Sequence, residues 1–292
     1  MRAVLAGAAL AAAIAVPATL SRAGAGDHGP RRIVVPPVAP SSGSARASSD
    51  PSASPLASAI PAPPTASATA WDVVASYNFD DGFDRTDTIF DDSGNGHTLR
   101  VASRHGGAVR TELRGGGLAL SYPRPCRKPT FQLSGLASTC PRVVLQASTS
   151  DDLNPGTRPF AWGAMIKLPP NATGPGENVI QKGFRARTGQ FKLQVDGVAG
   201  HPSCVITETR TRAFHEVYAR VSIADGTWHR VDCLRSRTTL MIVVDRLISA
   251  EAWIPAGLLV SNDMPLRIGG KSVLRGNDQF NGAIDDVYVA LG

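Results

Sequence analysis

The feature that most constrains this chain is a two-residue rhythm. In Phe160-Ala161-Trp162-Gly163-Ala164-Met165-Ile166-Lys167-Leu168 the even positions hold Phe, Trp, Ala, Ile and Leu. Successive side chains of an extended strand point to opposite faces, so this pattern buries one face of a strand. Short runs of the same kind recur, many rich in β-branched residues and bounded by Gly, Pro, Asn or Asp. They include Val73–Phe79, Leu118–Tyr122, Val143–Gln146, Asn178–Lys182, Gln190–Val195, Cys204–Thr207, His215–Val221, Trp228–Leu234, Leu240–Val244, Leu266–Ile268 and Ala283–Leu291. No window of a dozen residues shows helical periodicity with caps, and no internal repeat is evident. About a dozen short strands in one domain predict an all-β, two-sheet antiparallel sandwich.

All nine Phe, four Trp and four Tyr fall at Trp71 or later. The first 70 residues, dominated by Ala, Ser and Pro, therefore lack the material of a packed core. Met1–Arg2 is a positive start, Ala3–Leu20 is apolar, and Ala23-Gly24-Ala25 is a small-x-small site. Residues 1–25 read as a secretory signal peptide cleaved near Ala25, with an uncleaved membrane anchor as the alternative. Residues 26–70 hold nine Pro and read as an extended, disordered linker. Residues 71–292 are the folded domain.

Charge excludes one class of partner. The first 70 residues carry five Arg and two Asp; the remainder carries 25 basic and 22 acidic residues. The folded part is thus only mildly basic, and its Arg are scattered without interleaved aromatics, so nucleic-acid binding is not expected. Membrane contact is expected only through an uncleaved leader, and a monomer is the default. Cys126, Cys140, Cys204 and Cys233 include no C-x-x-C pair, the spacing that places two thiolates on one metal. An even count in an exported chain favours disulfides, of which three pairings exist. Sequence neighbours are expected to pair, Cys126 with Cys140 and Cys204 with Cys233, each bridge contributing roughly 3 kcal/mol.

Five ordered segments carry a family resemblance. They are Tyr77-Asn78-Phe79-Asp80-Asp81 with Asp91-Asp92-Ser93-Gly94-Asn95-Gly96-His97; Gly115-Gly116-Gly117-Leu118-Ala119-Leu120; Phe160–Ala164 leading to Gln181-Lys182-Gly183 and Lys192–Asp196; Asp225-Gly226-Thr227-Trp228-His229-Arg230-Val231; and Ile268-Gly269-Gly270 with Phe280–Val289. Together they resemble the laminin G-like branch of the concanavalin A-like lectin/glucanase superfamily. The chain particularly resembles the secreted, disulfide-bearing versions of high-GC Gram-positive bacteria, and the resemblance implies a concanavalin A-like jelly roll. The resemblance covers nearly all of residues 71–292. One departure is Asp245-Arg246, where the family turns a hairpin with Asp-Gly. Arg tolerates positive φ poorly, so a longer or different turn is expected there.

Asp80-Asp81 follows the first strand and Asp285-Asp286 lies in the last. Terminal strands of such a fold lie side by side, so two carboxylate pairs can converge on a hard cation. The resemblance implies a structural Ca²⁺ held by Asp285, the Phe79–Asp81 segment with Asp80 and Asp81, and Gly116 or Gly117. Trp162 and Trp228 are expected in the core. Trp253, beside Pro255 in a loop-like stretch, is the candidate for exposed stacking on a sugar.

The glycosidases of this fold carry Glu-x-Asp-x-x-Glu on one strand, one glutamate attacking and the other donating a proton. The five glutamates here are Glu112, Glu177, Glu208, Glu216 and Glu251, and no two stand two to five residues apart. A non-catalytic, secreted binding module for glycan or a cell-surface protein is the expectation. A divergent polysaccharide hydrolase or lyase and a structural surface protein are the alternatives.

Overall fold

Phe160–Lys167 (β7) is where the sandwich is built. Phe160 and Trp162 stack with ring centroids 4.6 Å apart, and Phe191 from the opposite sheet meets them at 5.5 and 5.6 Å. All three are fully buried, and burying each stabilises the fold by about 2–3 kcal/mol. A computed structural model of the chain describes residues 71–84, 87–126 and 139–292. The signal peptide and linker expected over residues 1–70 lie outside the described residues. No helix occurs among the described residues, and none is long and apolar enough to cross a membrane.

Among the described residues, sixteen strands form two antiparallel sheets. The first sheet runs β14 (Leu247–Trp253), β13 (Thr239–Val244), β12 (Trp228–Arg235), β7, β16 (Ala283–Leu291), β5 (Gly117–Ser121) and β4 (Arg110–Arg114), with β1 (Asp72–Tyr77) also on β16. The second runs β11 (Phe214–Tyr218), β10 (His201–Thr207), β9 (Gln190–Asp196), β8 (Glu177–Lys182), β15 (Leu266–Ile268), β6 (Arg142–Gln146), β3 (Leu99–Arg104) and β2 (Thr88–Ile89). The concanavalin A-like two-sheet jelly roll expected from the sequence is the fold found. The first and last strands lie side by side, from Asp72 against Leu291 to Tyr77 against Val287.

Both expected disulfides are present, and they differ in role. Cys204 on β10 and Cys233 on β12 lie fully buried between the sheets and clamp them together. Cys126–Cys140 joins the ends of the β5–β6 connection. At one end of the sandwich Arg235, 1% exposed, donates to the carbonyls of Gly156, Thr157 and Leu258. These three carbonyls offset much of the cost of burying a guanidinium, while its Nε has no partner among the described residues.

Asp225-Gly226 lies in the connection from β11 in one sheet to β12 in the other. Two expectations, one of a turn and one of a side chain, are corrected. Asp245-Arg246 does form a two-residue hairpin turn, with φ of 50° and 69° between the paired Val244 and Leu247. Asp245 compensates, its carboxylate accepting from Arg230 N and meeting the His229 ring. Trp228 is not in the core. Val231 and Cys233 point inward, so Trp228 shares the outer face with Arg230 and Asp232. There it lies between two cations, Arg114 and Lys167, each 5.1 Å from its ring.

Candidate ligand-binding face

The second sheet has one apolar and one polar face. In β9, Phe191, Leu193 and Val195 enter the core, while Gln190, Lys192, Gln194 and Asp196 face outward. Register then aligns such residues across strands. Arg100 pairs with Gln146, Gln146 with Arg267, Arg267 with Gln181, Gln181 with Lys192, Lys192 with Val205 and Val205 with Glu216. One transverse row therefore aligns two guanidiniums, two amides, an ammonium and a carboxylate, with Gln181 itself buried. The neighbouring row sets Asn178, Gln194, Ser203 and Tyr218 side by side.

These groups hold one another in place. Arg267 Nε donates to Gln146 Oε1 at 2.9 Å, and Asn178 Nδ2 to Gln181 Oε1 at 2.5 Å. Gln194 Nε2 donates to Asp196 Oδ1 at 2.6 Å, while Lys192 donates to Gln194 and Ser203 to Asp196. Burial pushes the Asp196 carboxyl up, against the lowering by Ser203, Gln194 and Lys192. Burial pulls Lys192 down, against the carboxylates of Asp196, Asp278 and Glu216. Burial and Glu216 push the Tyr218 phenol up to about 12. Cation–aromatic pairs accompany the rows: Arg185 over Phe214 at 4.1 Å and Arg267 over Phe184 at 5.3 Å.

The polar rows run into a cavity of about 260 Å³. Its lining comes from Arg124 and Cys126, Cys140 to Arg142, Gly174 to Glu177, and Arg275 to Asn281 without Phe280. The two features are continuous. A Cβ at Gly176 would stand 3.4 Å from Asp196 Oδ1, and Asn178 N donates to Asp278 O at 2.9 Å. Inside the lining, Glu177 is 2% exposed. Its Oε2 accepts from Asn281 N at 3.0 Å, and its Oε1 has no hydrogen-bond partner. Burial pushes this carboxyl up to about 8.

The residues expected to hold Ca²⁺ are found around a junction on β16. Its edge is paired with β5 at Ala283 and Ile284, and with β1 from Val287 onward. Between them, Asp285 and Asp286 form an irregularity, Asp286 with φ of 45°. Asp285 Oδ2 takes Arg114 Nη1 at 2.5 Å, and Asp286 Oδ2 takes the same nitrogen at 2.9 Å. Asp80 Oδ1 accepts from Leu118 N at 2.8 Å and fills the space where a Cβ on Gly117 would go. Asp81 is exposed in the turn that leaves β1. As placed, these side chains do not fit a cation cage: a guanidinium serves Asp285, and among the described residues no group of three His, Cys, Asp or Glu is arranged for a metal.

Trp253 ends β14, an edge strand rather than a loop, and is 74% exposed. The polar rows and Glu177 were not singled out as a site by sequence reasoning. The alternation in Gln190–Asp196 contained half of the signal.

Comparison with known proteins agrees with the fold. Residues 146–290 match the Laminin_G_3 family model, described as concanavalin A-like lectin/glucanases superfamily. No curated protein matches the sequence. Among solved structures, domain 4 of AbnA, a GH43 extracellular arabinanase from Geobacillus stearothermophilus in complex with arabinotriose, is similar at a TM-score of 0.54 and 14% identity. That match covers 76% of this chain and 93% of that one. The binding domain of Paraclostridial Mosquitocidal Protein 1 is similar at a TM-score of 0.52 and 13% identity over 75% of this chain. The chain spans about half of that domain's length, 48%.

Proposed function

We propose that this protein is an extracellular, non-catalytic module that binds glycan on the outer face of its second sheet. The observation that carries this reading is the transverse polar row from Arg100 to Glu216. A sugar hydroxyl both donates and accepts, and an array of amides, carboxylates and cations held in fixed geometry offers it both roles. The row is preorganised by its own hydrogen bonds, which lowers the entropy lost on binding. A domain of similar fold is in complex with arabinotriose, which supports oligosaccharide as the ligand class. Two disulfides suit an oxidising, extracellular setting.

The chemistry favours binding over hydrolysis. A retaining or inverting glycosidase needs two carboxyls that act on one bond. Glu177 is raised by burial alone, with no second carboxylate acting on it.

The test is isothermal titration of the full chain with arabinotriose and a panel of neutral oligosaccharides, followed by a Lys192→Ala/Glu216→Ala variant. Binding that weakens at least about tenfold in the variant, with the fold retained, supports the reading. Binding unchanged in that variant but lost in Trp253→Ala moves the site to the edge of the first sheet and overturns it.

A further inference from the structure

The cavity beside Glu177 has a charge balance that the polar rows lack. Arg124, Arg142 and Arg275 contribute three guanidiniums to its lining. Besides Glu177, the acidic residue of the lining is Asp278, and Lys271 already pairs with it at 2.8 Å. Arg142 is buried and donates Nη1 to Val273 O. Arg124 and Arg275 are exposed at the mouth and make no hydrogen bond or ion pair among the described residues. The lining therefore carries uncompensated positive charge around a space the size of a sugar ring. Beneath it, Glu177 Oε1 is a buried polar atom still without a partner.

We infer that this cavity is a subsite for an acidic sugar, with Arg124 and Arg275 pairing the carboxylate of a uronic-acid-type residue and the buried Glu177 carboxyl beneath it. The inference rests on the glycan-binding reading and deepens it, naming the charge class of the ligand. Arg binds a carboxylate through paired N–H donors, which is stronger and more directional than a contact between neutral groups. A neutral Glu177 adds no repulsion; an ionised one would oppose the incoming carboxylate. Because burial holds this carboxyl up at about 8, it stays protonated at neutral pH and ionises above it. The other charged groups around the cavity are the three arginines, the Asp278–Lys271 pair, and Asp196 with Lys192 behind Gly176.

The experiment titrates the full chain with trigalacturonic acid, galactotriose and a sulfated galactotriose. The acidic trisaccharide is expected to bind about tenfold more tightly than the neutral one. The preference is expected to vanish in Arg124→Ala/Arg275→Ala and to survive in Arg110→Ala/Arg212→Ala, which removes the same charge elsewhere on the surface. Affinity for the uronate should fall between about pH 6.5 and pH 9 in the native chain but not in Glu177→Gln, which is neutral throughout. Equal binding of acidic and neutral trisaccharides overturns the subsite and leaves the glycan-binding reading standing. Tighter binding of the sulfated sugar overturns the carboxylate assignment. Binding of none of the three, with arabinotriose also inert, overturns both.

Discussion

Replacing Arg114 by Met tests how the acidic junction on β16 is stabilised. Asp285 has a side chain only 4% exposed, and Arg114 is its cationic partner at 2.5 Å. Removing one member of a buried ion pair costs about 3–5 kcal/mol, because the other charge is left without compensation. Arg114 is 25% exposed and its second partner Asp286 is 31% exposed, so water softens the loss to roughly 2–3 kcal/mol. For a domain of this size that corresponds to a fall in Tm of about 5–10 °C at pH 7.5. The pH dependence identifies the cause. Burial raises Asp285 to about 6 even with Arg114 present, above the ordinary carboxylate value. Such a group favours the folded state at pH below its unfolded value, and that contribution is lost as pH rises through about 6. Without Arg114 the carboxyl shifts further upward. At pH 5 it is protonated in both proteins, and most of the deficit should disappear. Thermal melts of both proteins across about pH 5–8 read this directly. A deficit that stays constant with pH would refute the argument and assign the loss to packing on Trp228. Millimolar Ca²⁺ or chelator should leave the native Tm unchanged. A calcium-dependent rise would show that a metal displaces Arg114 and would restore the metal expected from the sequence.

Two further substitutions probe the frame that presents the binding face. Replacing both Cys204 and Cys233 by Ala, across a sequence separation of 29, should destabilise the native fold by roughly 3.5 kcal/mol and lower Tm by about 7–14 °C. Differential scanning calorimetry that finds a loss below about 1 kcal/mol would show that the sheets need no covalent clamp. Gly163→Ala would place a Cβ 2.3 Å from Asp232 Oδ1, 2.6 Å from Val231 O and 2.9 Å from Tyr288 Cε1. Backbone cannot yield there, so a loss of about 3 kcal/mol is expected in a urea melt, and an unchanged midpoint would contradict the contact.

How far the sequence predicts this molecule depends on what each strand touches. β7, β9 and β16 are legible because each buries one full face or more, and burial writes itself as alternation. β3, β4 and β14 are not legible. Their residues, such as Arg100, Arg104, Arg110 and Glu112, are largely solvated near sheet edges, where nothing selects for an apolar period. Trp228 was misread because an aromatic opening a strand suggests burial. The inward Val231 and Cys233 fix the opposite parity, and Arg114 and Lys167 supply the partners that make the outer face tolerable. Asp245-Arg246 was misread for a different reason. Positive φ at Arg246 is a local cost, and the hairpin it closes is held by β12 and β14 on either side of β13, which outweighs it.

The binding face shows the same division more sharply. Within β9 the polar half of the alternation was visible, and its simplest meaning was a solvated surface. What makes it a candidate site is alignment: Gln146, Arg267, Gln181 and Lys192 are far apart in sequence and adjacent only through strand register. Register is set by the hydrophobic face of every strand at once, so no single segment encodes the row. Glu177 is the extreme case. Read by spacing it was one of five isolated glutamates. Its unusual state comes from burial beneath a loop that carries Gly174 and Gly176, and the bond from Asn281 N, 104 residues away, acts against it. A carboxyl in such surroundings is kept neutral by exclusion of water rather than by a neighbouring charge. Its chemistry is therefore a property of the closed sandwich. The same physics explains why the sequence reveals the acidic pairs of this chain more readily than an acid whose protonation is set by burial.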